Sequence, residues 1–185
     1  RSGYANTSGS FNTFLGIEAG AANTTGTVNT FIGSYAGTSN IGGSNNAFVG
    51  VYSGYNNSGG QGNSYVGNYT GYLNTTGSYN SFLGYQSGNN NTASYNVFIG
   101  FKTGYSNTSG RSNVFLGHLS GYLNSSPSNN IFIGDNSGYN NSLGGVTGTQ
   151  GAYNIFIGYQ SGFNNRTGES NVFIGEQTGR SNASG

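Results

Sequence analysis

Apolar residues in this chain come in fixed pairs, an aromatic followed at once by an aliphatic, and the pair is written ten times. Each pair stands between a leading asparagine and a trailing glycine, as in Asn96-Val97-Phe98-Ile99-Gly100. The leading residues are Asn12, Asn29, Asn46, Asn63, Asn80, Asn96, Asn113, Asn130, Asn154 and Asn171, giving steps of 17, 17, 17, 17, 16, 17, 17, 24 and 17. A fixed period of this length is the mark of stacked repeats rather than of a folded globule.

Aligned on the leading asparagine, the unit reads N-x-F-[ILV]-G-x-x-[SAT]-G-Y-x-N-x-[ST]-G-x-x. Its first five positions predict a short strand, and a second, weaker strand is expected around the eighth to eleventh. Glycines at the fifth and ninth positions suit corners that need positive φ or close backbone approach. Helix is excluded, because glycine every few residues costs ~1 kcal/mol each relative to alanine and no 3.6-residue apolar stripe exists. Hairpins are disfavoured too. With 30 Asn and 36 Gly the chain contains no Asn-Gly pair, although about six are expected by chance and that pair is the favoured two-residue hairpin turn. The expected fold is therefore all-β, a repeat solenoid (β-roll or β-helix) of about ten coils with 17 residues per coil. At ~4.8 Å per coil it would be a rod roughly 48 Å long.

The whole of 1–185 reads as one repeat array, with two irregularities. The fifth copy is one residue short, and after it the second strand position changes from Thr13, Thr30, Ala47, Ser64 and Ser81 to Val97, Val114, Ile131, Ile155 and Val172. This divides the array into subregions 1–95 and 96–185, the second with a drier strand face. The eighth copy carries seven extra residues around 144–151, where an insertion emerges as a loop on one face, often a binding face.

Neighbouring residues on a strand point to opposite sides, so an aromatic beside an aliphatic wants burial on both. If the aliphatic row fills the coil, the ring row Phe14, Phe31, Phe48, Tyr65, Phe82, Phe98, Phe115, Phe132, Phe156 and Phe173 lines the outside as an assembly interface. The alternative is that a bulge or the glycine corner turns the rings inward. Tyr55, Tyr72, Tyr105, Tyr122 and Tyr139 share the tenth position and are candidates for stacking on sugars. Stacked asparagines are expected to form hydrogen-bonded ladders. Several also open N-x-[ST] sequons, making Asn6, Asn23, Asn74, Asn107, Asn124, Asn165 and Asn182 candidate glycosylation sites.

Charged residues make up 5% of the chain and net charge is +1, which gives no footprint for nucleic acid. No apolar run is long enough to insert in a membrane as a helix, and with no cysteine there is neither disulfide nor thiolate metal site. His118 stands alone, no aspartate-rich turn suits calcium, and no cofactor or metal is expected. Asp135 and Glu176 share a repeat position two copies apart, ~10 Å by coil spacing, but nothing in so charge-poor a repeat would raise one pKa for acid catalysis. No catalytic residue is assigned.

The motif Asn154-Ile155-Phe156-Ile157-Gly158-Tyr159-Gln160-Ser161-Gly162 resembles the head repeats of trimeric autotransporter adhesins, and still more the Asn/Gly-rich arrays of bacterial surface and phage tail-fibre-like proteins. It differs from the adhesin head in having Phe where that family has a small residue, and in its 17-residue unit. The resemblance implies a β-roll, usually trimeric, that projects from a cell surface and binds host or matrix molecules. The expected function is thus a non-enzymatic extracellular or cell-surface fibre whose partner is itself, as trimer or filament. The alternative is an adhesin-like module that binds glycans or matrix.

Overall fold

In the computed structural model, residues 1–142 and 150–183 are described, so most of the expected insertion at 144–151 lies outside the described residues. The chain is an all-parallel β-solenoid. Its ten strands are β1 (Thr13–Leu15), β2 (Thr30–Ile32), β3 (Ala47–Val49), β4 (Ser64–Val66), β5 (Ser81–Leu83), β6 (Val97–Ile99), β7 (Val114–Leu116), β8 (Ile131–Ile133), β9 (Ile155–Ile157) and β10 (Val172–Ile174). They form one sheet in chain order. Each pairs in register with its neighbour, Phe98 opposite Phe115 and Ile99 opposite Leu116. The one-residue deletion leaves this intact, since Phe82 still faces Phe98. Among the described residues each coil has this single three-residue strand; the weaker second strand expected at the eighth to eleventh positions is a turn instead. No helix among the described residues is long and apolar enough to cross a membrane.

Inside and outside are the reverse of the leading expectation. The ring row points inward, with Phe31, Phe48, Tyr65, Phe98, Phe115, Phe132 and Phe156 fully buried. The second and fourth strand positions point outward together. Packing volume explains the choice. Across the coil from each ring stand a small residue at the eighth position and a glycine at the ninth, so the interior is a slot sized for one flat ring. At Gly104 an added Cβ would lie 2.6 Å from the Phe98 ring, so the ring rests on bare backbone. The fifth-position glycine is required by the next coil. Gly33 has φ +133°, and a Cβ there would stand 2.5 Å from the Gly50 carbonyl.

Three ladders run along the interior. The rings stack from Phe14 to Phe173, with centroids 4.7–5.2 Å apart and planes nearly parallel through the middle coils. The leading asparagines form the second ladder: each Oδ1 accepts the backbone N–H of its successor, as Asn113 N–H to Asn96 Oδ1 at 2.9 Å. The twelfth-position asparagines form the third, side chain to side chain, as Asn40 Nδ2 to Asn23 Oδ1 at 2.7 Å and Asn107 Nδ2 to Asn91 Oδ1 at 2.6 Å. In most coils both asparagine rows also donate to one carbonyl, for example Asn29 and Asn40 to Gly43 at 2.8 and 3.0 Å. Burying an amide is costly unless each of its groups is paired, and here the repeat supplies the partner within the coil or one coil away for all but Asn57 Oδ1 and Asn130 Nδ2 among the described residues.

Candidate functional site

The expected site residues fall into three rows, which the structure treats differently. The ring row Phe14, Phe31, Phe48, Tyr65, Phe82, Phe98, Phe115, Phe132, Phe156 and Phe173 is the core of the coil, so it cannot be an assembly surface. Even the end members Phe14 and Phe173 pack against that core.

The sequon asparagines divide. Asn23, Asn74, Asn107, Asn124 and Asn165 are fully buried, and their side-chain amides are spent inside the coil, as in Asn165 Nδ2 to Asn141 Oδ1 at 2.8 Å. These five are corrected as glycosylation candidates, because a transferase cannot reach an amide nitrogen bonded within the rod. Asn6 is exposed, with its Nδ2 on the Gly9 carbonyl at 2.9 Å. Asn182 is half-buried and donates to Asn165 Oδ1 at 2.9 Å.

The tyrosines lie half-exposed on the surface in two stretches. Tyr55 stacks on Tyr72 at 5.3 Å, beside a second stack of Tyr35, Tyr52 and Tyr69 at 4.9 and 5.1 Å. Tyr105, Tyr122, Tyr139 and Phe163 form a longer stack with 5.1–5.3 Å steps. Lys102 stands by its first ring, 5.9 Å from the Tyr105 centroid, and Arg180 by its last, 5.7 Å from that of Phe163. Along such stacks the ring faces are occupied by one another, and edges and hydroxyls meet solvent. Crowding has an electrostatic trace: Tyr139 is raised above the ordinary phenol range by partial burial and then by Tyr122.

Tyr65 is the one ring with a hydroxyl inside the coil. Its oxygen accepts from Asn74 Nδ2, and burial pushes its pKa well up, against a smaller opposing effect of hydrogen bonds from Asn74 and Asn80. That contact diverts Asn74 from the ladder, and Asn57 Oδ1 is left buried without a partner.

Elsewhere, His118 Nδ1 and Asp135 Oδ1 meet at 3.0 Å, both half-exposed. Asp135 is thus engaged within its own row by an adjacent coil. No group of three or more His, Cys, Asp or Glu side chains among the described residues is placed to hold a metal ion.

What sequence reasoning missed is the outer face of the sheet. Leu15, Leu83, Leu116, Val172 and Ile174 are exposed by 64%, 48%, 41%, 62% and 65%, and with their row neighbours they make an aliphatic stripe along the rod. The signal was present. The second and fourth positions share a face, and the second is Thr, Ala or Ser in the first five copies, which marks that face as the outer one. No family model, no curated protein and no solved structure matches the chain.

Proposed function

We propose that this chain is a non-enzymatic structural rod, a segment of an extracellular or cell-surface fibre that associates with copies of itself. One observation carries the reading: the interior is given over to ladders that run coil to coil, so the repeat's polar chemistry is directed at axial cohesion. In an array of this kind each coil is stabilised by its neighbours, and a rod results whose stiffness grows with the number of coils. The low charge and absence of cysteine accord with an exported protein.

The second reading, a glycan-binding module on the tyrosine rows, rests on a surface of phenol edges and hydroxyls. Sugar recognition by stacking uses ring faces, and those faces are engaged within the stacks. The rod is the better-supported reading.

Its test is the mass of the purified protein by light scattering over a wide dilution series, with electron microscopy of the same sample. The expected result is a multi-chain, elongated particle that survives dilution. A 19.1 kDa particle at every concentration would overturn the self-associating rod.

A further inference from the structure

We propose that the outer face of the ten-stranded sheet is a homotypic interface, on which a second copy of this chain lies side by side with the first along nearly the full rod. The inference rests on the self-associating rod and names the surface that reading requires.

The face is apolar beyond what an isolated surface needs. In coils six to ten both outward strand positions are β-branched or leucine: Val97 and Ile99, Val114 and Leu116, Ile131 and Ile133, Ile155 and Ile157, Val172 and Ile174. In coils one to five the fourth position stays aliphatic while the second is small or hydroxylated, as Ser64 with Val66 and Ser81 with Leu83. The change leaves a shallow apolar recess lined by Ser64, Val66, Ser81, Leu83 and Ile99. Monomeric proteins rarely expose a contiguous apolar patch beyond a few hundred Å².

Area selects the occupant and its overlap. Ten strands at ~4.8 Å by three residues at ~3.3 Å give a face of roughly 48 by 10 Å, about 500 Å² per copy before the flanking sixth-position row is added. Two copies in full overlap bury ~1,000 Å² or somewhat more, which reaches the size of a specific interface, whereas half overlap falls among incidental contacts. A second copy supplies a mate of the right kind for that overlap. It presents a sheet of the same length, with side-chain rows repeating at the same coil spacing, so the rows of two such faces can mesh along their length. The strand register carries no offset from β1 to β10, so each row passes unbroken from coil to coil.

The test places like charges on and off the face of the full-length chain. Leu116→Asp and Ile133→Asp put a carboxylate on the sheet, Thr30→Asp puts one at its far end, and Ser109→Asp puts one at an exposed corner outside the sheet. Far-UV circular dichroism confirms that each variant keeps the wild-type coil, and Leu116→Thr serves as an uncharged, strand-compatible second variant. The face variants are expected to fall to 19.1 kDa at concentrations where wild type and Ser109→Asp remain multi-chain. Leu116→Thr is expected to dissociate at least tenfold more readily than wild type on dilution. Unchanged assembly in folded Leu116→Asp and Ile133→Asp would overturn the interface while leaving the self-associating rod standing. Loss in Leu116→Asp but not in Thr30→Asp would overturn the full-length overlap. A wild type that is monomeric throughout would remove both.

Discussion

Replacing Tyr65 by Phe should stabilise the rod although it deletes a hydrogen bond. Tyr65 lies in a ring stack with Phe48 at 4.9 Å and Phe82 at 4.8 Å, so its ring already occupies the phenylalanine position. Its hydroxyl takes Asn74 Nδ2 out of the twelfth-position ladder and leaves Asn57 Oδ1 buried and unpaired. Removing the hydroxyl loses one bond and lets Asn74 donate to Asn57 as Asn57 does to Asn40 at 2.8 Å, a near-even exchange at ~0.5–1.5 kcal/mol each. What is left is relief of the orphaned acceptor, ~1–3 kcal/mol. The void is small, because Phe fits this slot in every other coil. Urea melts should therefore shift to a higher midpoint at unchanged slope, by ~1–3 kcal/mol in ΔG. In the same variant the Asn74 side-chain amide protons should exchange more slowly with solvent. A lower midpoint, equivalent to a loss of ~1 kcal/mol or more in ΔG, would mean that the Tyr65 hydroxyl is better satisfied than the ladder it interrupts, and would refute the reasoning.

The same residue gives a pH signature. The raised folded-state pKa of Tyr65 makes its contribution complete below the unfolded value of ~10 and lost as pH climbs beyond it; wild type should lose more stability than Tyr65→Phe between pH 9 and 12 in otherwise matched melts. Phe98→Ala removes a fully buried ring from mid-stack and should cost ~3–5 kcal/mol, read as a fall in denaturation midpoint. Asn107→Ala strips the bonds to Asn91 and the Gly110 carbonyl and leaves Asn124 Nδ2 with the Pro127 carbonyl alone, so it should cost ~2–4 kcal/mol by the same assay. Val28, exposed and β-branched at φ +58°, should gain ~0.5–1 kcal/mol on change to Asn, a residue that tolerates the left-handed region. Glycan attached in a secreting host should map by mass spectrometry to Asn6 or Asn182 and not to Asn107 or Asn124; glycan on a buried ladder asparagine would contradict the coil.

Period, coil number and parallel stacking were legible because they are written as spacing, and spacing survives any error about which way a side chain points. Direction was harder. A ring beside an aliphatic is symmetric to the reading that only asks which faces want burial, and the decision lay elsewhere in the unit. The small residue at the eighth position and the glycine at the ninth leave a gap that only a flat ring fills. The hydroxyls of Thr13, Thr30, Ser64 and Ser81 mark their shared face with the aliphatics as wet. Positive φ at the fifth- and ninth-position glycines was legible, but the left-handed positions held by other residues were not. Among the described residues nineteen non-glycine residues have positive φ, at the seventh position of the unit and just before the leading asparagine, and they include Tyr, Gln, Lys and Val as well as Asn. Coil geometry imposes those conformations, and nothing in local propensity announces them. The asparagine ladders were expected from stacking alone, but that they would fill the interior, and so withdraw the sequons, followed only once the rings were inside.

That inversion also separates what the coil needs from what it does not. The ring steps from Phe82 to Phe98 and from Phe98 to Phe115 are both 4.8 Å, although the outward second position changes across them from Ser81 to Val97 and Val114. The leading-asparagine bonds likewise hold at 2.9 Å on both sides of the change, into Asn80 and into Asn113. Interior cohesion is thus indifferent to whether the outer row is hydroxylated or aliphatic. Of the ten aliphatic side chains on β6 to β10, six are exposed and four are half-buried, and the apolar area they leave in water returns none of its transfer free energy to a lone rod. Their contribution is realised only when the face is covered, at ~25 cal/mol per Å² of apolar surface removed from water. On the proposed self-association the outer face serves contact between copies, while the inner ladders hold each rod together.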